Sequence, residues 1–92
     1  MAKKVAYILY YDNNYPDYLS SEAHHRCAAF ETYARAYNAA VEDIDWFMSK
    51  GAHIEDEWYN DISVARASAA RITMRMPEGD LMMINITPSA IN

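Results

Sequence analysis

The stretch Ile54-Glu55-Asp56-Glu57-Trp58-Tyr59-Asn60-Asp61-Ile62-Ser63-Val64-Ala65-Arg66-Ala67-Ser68 sets the topology, because helix and strand readings give different sheets. Ile54, Trp58, Ile62, Ala65 and Ala69 recur at steps of three and four, which is one apolar stripe of a helix. Glu55, Asp56 and Glu57 then fall in a first turn, where the helix dipole favours carboxylates. The spacing predicts a helix over 54–68. The competing reading is a strand starting at Ile62-Ser63-Val64, carried by a brief alternation.

On the N-terminal side a longer helix is expected. Ser20 or Ser21 can cap it, with Glu22 in the first turn. Ala23, Cys27, Phe30, Ala34, Tyr37, Val41, Ile44 and Met48 form one stripe. Glu31, Arg35, Asn38, Glu42, Asp45 and Ser49 form the polar face opposite. Lys50 and Gly51 stop it, a cation followed by a residue free to turn left-handed. A straight helix of this length would run roughly 40 Å. It is expected to pack on its own sheet, although a 3.5-residue spacing also permits pairing with a second copy.

On the C-terminal side Ile72, Met74 and Met76 alternate with Arg71, Thr73 and Arg75. Pro77-Glu78-Gly79-Asp80 is a turn, and Met82, Ile84 and Ile86 alternate again. This is a hairpin, ended by Pro88 and followed by a loose tail. Val5–Tyr11, β-branched and aromatic with two apolar faces, reads as a central strand. A loop follows at 12–17. The expected order is β-α-α-β-β, an α+β fold in which helices pack on one face of a small three-stranded, mainly antiparallel sheet. The other face would carry Arg71, Thr73, Arg75 and some tyrosines.

A chain of 92 residues makes one domain, 1–92. Its net charge of −5 is concentrated in the middle, where seven of thirteen acids lie between Glu42 and Asp61. Such a centre repels nucleic acid and anionic membranes and attracts basic partners. Solvation of a helical surface is the plainer explanation. Cys27 is the lone cysteine, so no internal disulfide forms and a reducing cytoplasm is expected. No signal peptide is read at the basic start, and no apolar run approaches the roughly 20 residues that cross a membrane.

No catalytic motif or cofactor signature stands out. His24 and Cys27 could share a helical face, but a third ligand such as His53 would have to come from the far end. Cys27 also sits on the apolar stripe, where a thiol is a small hydrophobe. Two glycines exclude a phosphate-cradling loop. The reading is a non-enzymatic binding protein without metal or cofactor.

The partner-binding candidates are Glu42, Asp43, Asp45, Glu55, Asp56, Glu57 and Asp61, with Tyr15 and Tyr18 from the Tyr-rich loop. In general character, a small acidic Tyr-rich domain without catalytic motifs, the chain resembles phage-encoded inhibitors of host machinery, anti-CRISPR proteins among them. That resemblance implies an acidic face that occupies a nucleic-acid-binding surface of a host protein complex. The alternatives are a small RNA- or DNA-contacting module using Arg71, Arg75, Lys3 and Lys4, and a homodimeric regulatory domain.

Overall fold

The computed structural model describes residues 4–13, 27–61 and 67–91. Among the described residues five strands and one helix follow in the order β1 (Lys4–Asn13), β2 (Cys27–Phe30), α1 (Tyr33–Ser49), β3 (His53–Tyr59), β4 (Ala70–Arg75) and β5 (Leu81–Ile91). The strands form one open antiparallel sheet ordered β2-β1-β5-β4-β3. The fold is α+β, as expected, but the sheet has five strands rather than three. No helix among the described residues is long and apolar enough to cross a membrane.

The β4–β5 hairpin forms where expected. Gly79 N–H donates to the Met76 carbonyl at 2.9 Å, closing a turn with Pro77 at its second position and Gly79 at φ 101°. Proline presets the turn, and glycine takes the positive φ without a Cβ clash. The strand does not stop at Pro88, which pairs opposite Tyr7 of β1. Beyond Ile86, β5 has left β4 behind, since Ala70 is the first residue of β4. A proline there faces an edge, where its missing N–H costs no ladder bond. The tail expected to be loose instead pairs with Lys4–Ala6.

Two helical expectations are corrected. The long helix starts at Tyr33, not near Ser20. Thr32 caps it, its hydroxyl accepting from Arg35 N–H at 3.2 Å. Cys27–Phe30, assigned to the helix by its stripe, pairs instead with Tyr7–Tyr10 of β1. Pairing on an existing strand outweighs the helix propensity of Ala28 and Ala29. The second helix is absent over 53–59, which is β3. Its remaining expected span at 62–66, and the competing strand at Ile62–Val64, lie outside the described residues.

α1 packs over β1, β5 and β2. Its buried line is Ala36, Ala39, Ala40, Asp43, Ile44 and Phe47. The polar face is as expected, but the stripe is shifted around the axis: Ala34 and Met48 are exposed, while Ala36 and Phe47 are buried. Small alanines let the helix approach Leu9, Ile72, Met74, Met82, Ile84 and Ile86 of the sheet. The helix ends as expected. Gly51 N–H and Ala52 N–H donate to the carbonyls of Met48 and Phe47, and Gly51 has φ 103°.

Candidate functional site

β3 is the outermost strand on one side of the sheet, and α1 packs mainly on β1, β5 and β2. All its residues from His53 to Trp58 are exposed, on both faces. Trp58 exposes 53% of its surface and Ile54 37%. Register assigns the faces. Trp58 and Asp56 stand opposite Arg71 and Thr73, on the face away from the helix. Glu57, Tyr59 and Ile54 stand opposite the buried Ile72, Ala70 and Met74, on the helix side. The register shifts between Ile54 and Asp56, so Glu55 occupies an irregularity. Three consecutive acids thus make both faces of the strand negative.

The acids are not equivalent. Both Glu55 carboxylate oxygens receive Arg75, Nη2 at 3.0 Å to Oε1 and Nε to Oε2, while Arg75 Nη1 donates to the Gly79 carbonyl at 2.6 Å. The Arg75 hydrogen bond holds the Glu55 carboxyl below its ordinary value and raises the guanidinium. Glu57 accepts the Tyr59 hydroxyl at 2.7 Å, and burial together with bonding to Tyr37 and Glu57 pushes the Tyr59 phenol up. Asp56 sits between them on the open face without an ion pair to a described residue.

The end of β3 is stapled. Asn60 Oδ1 accepts from the backbone N–H of Ser68 and Ala69 at 2.9 and 3.2 Å, and its Nδ2 donates to Ser68 Oγ at 2.9 Å. Asn60 N–H donates to the Ala69 carbonyl at 3.1 Å. Beside this staple Trp58, Tyr59, Asn60 and Asp61 line a shallow open depression of about 400 Å³.

The candidate acids therefore divide. Glu55, Asp56, Glu57 and Asp61 gather along β3 and its end. Glu42 and Asp45 stand on the exposed face of α1, in the other layer. Asp43 belongs to neither: it is fully buried and accepts the Tyr11 hydroxyl across the helix–sheet interface. The acidic face loses that residue, because its carboxylate serves the core. Burial, then Asp43, pushes the Tyr11 phenol far up. Tyr15, Tyr18, Lys3, His24 and His25 lie outside the described residues.

Arg71 and Arg75 share the open face, as alternation implied. Arg71 Nε donates to Oδ1 of the buried Asn85 at 2.9 Å, and Arg75 is paired with Glu55. Lys4 begins β1 opposite Ile91, with β5 between it and the strand that carries Arg75. The tyrosines work mainly in packing. Tyr7 meets Tyr33 edge-on at 6.2 Å, Tyr33 stacks on Tyr37 at 5.9 Å, and Tyr37 meets Tyr59 at 6.3 Å. This row reaches from β1 across α1 to β3. Sequence reasoning found the acids and Trp58 but missed the strand that displays them. The available signal was Asn60-Asp61, a turn pair at its end.

No known family, curated protein or solved structure matches this chain.

Proposed function

We propose that this chain is a non-enzymatic protein-binding inhibitor of the phage-encoded, anti-CRISPR-like kind. Its acidic β3 region covers a basic, nucleic-acid-binding surface of a host complex. The observation that carries the reading is the exposure of Glu55, Asp56, Glu57 and Trp58 together at a sheet edge the helix leaves uncovered. Charge there speeds association and sets register, and a half-exposed tryptophan is the residue type that anchors interfaces. Glu42 and Asp45 add negative potential from the helix.

The strand arginines favour nucleic acid less. Arg75 is neutralised by Glu55, and three acids lie on the neighbouring strand. Binding through phosphate needs uncompensated cations. The outward face of α1 is polar, with Arg35, Asn38, Glu42 and Asp45 exposed, which supplies no apolar seam for a helical homodimer.

The test is capture from nuclease-treated bacterial host lysate by the tagged protein, with and without Asp56→Lys and Glu57→Lys. The reading predicts a nucleic-acid-handling complex that is released by high salt, by added nucleic acid and by the charge reversal. Capture that survives all three overturns the acidic-surface reading.

A further inference from the structure

The outer edge of β3 poses a separate question, namely what satisfies its backbone. Among the described residues nothing pairs with that edge, so β3 presents a row of N–H and C=O groups to any strand of suitable chemistry. The register with β4 runs unbroken from Asp56 to Tyr59, which keeps this edge regular where it is most exposed. The opposite edge of the sheet, β2, is four residues long and carries no acidic or basic side chain.

We propose that the β3 edge takes an extended basic segment of the partner protein as a sixth, antiparallel strand. This rests on the reading of the chain as a protein binder and adds how it binds. The backbone would supply affinity, and the side chains of β3 would choose the sequence.

Charge complementarity identifies the occupant. A second copy of the chain is a poor fit. Twofold antiparallel pairing about Asp56 sets Asp56 against Asp56 and Glu55 against Glu57, and a shift of one residue still opposes acids. Like charges directly across a strand pair are destabilising. An ordinary amphipathic strand, charged on one face only, is also a poor fit. Consecutive acids alternate across the strand and make both faces of β3 acidic, with Asp56 on the open face and Glu57 on the helix side. The matching segment carries lysines or arginines at consecutive positions, one for each face.

A charged edge can also serve only to prevent edge-to-edge association. That role gives no reason to expose Trp58 and Ile54 along the same strand. The depression lined by Trp58, Tyr59, Asn60 and Asp61 continues the edge beyond Glu57. On an antiparallel strand it receives a residue that precedes the basic run. The occupant is therefore an extended segment with a bulky apolar side chain a few positions before its consecutive cations.

The experiment uses the unmodified protein and three synthetic peptides. The parent peptide carries a leucine near its N-terminus and a central run of arginine and lysine. In the other two, alternate backbone amides of that run are N-methylated, odd positions in one and even positions in the other. Only one set of amides can face β3. Strand addition predicts that one methylated peptide binds about tenfold or more weakly than the parent, while the other binds like it. Because the protein is unchanged, misfolding cannot produce that difference. Equal affinities for the two methylated peptides overturn strand addition. If that binding is still lost with Asp56→Lys and Glu57→Lys, the acidic-surface reading survives on its own. Failure of the parent peptide to bind at low salt also overturns the proposal, and the lysate capture then judges the broader reading separately.

Discussion

Replacing Tyr11 by Phe removes one oxygen atom, yet it tests how the helix is held to the sheet. Tyr11 lies on β1 and donates to the fully buried carboxylate of Asp43 on α1. Its ring also meets Phe47 edge-on at 6.4 Å, and that packing survives in Tyr11→Phe. The loss is therefore confined to a hydrogen bond to a buried charge, worth about 1.5–3 kcal/mol. For a domain of this size each kcal/mol moves the melting temperature by about 4–8 °C, so a loss of about 2 kcal/mol lowers it by roughly 8–16 °C. Asp43→Ala is expected to cost about 2–4 kcal/mol, since it leaves a small void and strands the tyrosine hydroxyl. In the double variant the stranded groups are gone together. It should cost at least about 1 kcal/mol less than the sum of the single changes. Thermal and urea unfolding followed by circular dichroism measures all four proteins. A Tyr11→Phe protein that melts like the wild type, or strictly additive single changes, would refute the claim that this pair clamps the layers.

Gly51→Ala should destabilise by about 1–2 kcal/mol in urea unfolding, because φ 103° strains any Cβ and Pro77 Cγ stands 3.4 Å from it. Gly79→Ala, at φ 101° with open space around it, should cost no more than Gly51→Ala. Trp58→Ala should leave stability within about 0.5 kcal/mol while weakening partner binding by about 2 kcal/mol or more, as titration calorimetry with the captured partner can check. Above pH 10 the fold should weaken. Burial raises the phenols of Tyr11, Tyr33 and Tyr59, with Asp43 adding to the first, Tyr37 to the second, and Tyr37 and Glu57 to the third. Each is raised, so its contribution is complete below the ordinary tyrosine value of about 10 and is lost as pH rises past it. Phenolate absorbance should therefore show a late group of tyrosines that ionises together with loss of the circular dichroism signal. Ionisation of every tyrosine near pH 10 in a folded protein would count against this.

Where burial imposes a period, the chain announces its structure. Val5–Tyr11 and the Ile72–Ile86 hairpin were legible because one face of each meets α1, and the stop at Lys50-Gly51 was legible because its chemistry is local. β3 was not, for the opposite reason. Both its faces are exposed, so nothing forces apolar and polar residues to alternate. Its irregularity at Glu55 breaks what pattern remains. Three acids before Trp58 then imitate the first turn of a helix. β2 was hidden by alanines that pack as well in a strand as in a helix, and Asp43 by the rule that carboxylates belong outside. The candidate site was half legible. The acids were visible as a cluster in sequence, but their division among β3, the helix surface and the core depends on pairing that the sequence does not display.

Binding at the β3 edge, as proposed, must change the amides of that edge. Hydrogen–deuterium exchange of the captured complex against the free protein tests it most directly, since it reads the amides of that edge. The expected result is slowed exchange across His53–Asp61 and unchanged exchange in the outward turns of α1. Slowing confined to α1, or to β1 and the open face around Arg71, with His53–Asp61 exchanging as in the free protein, would contradict it.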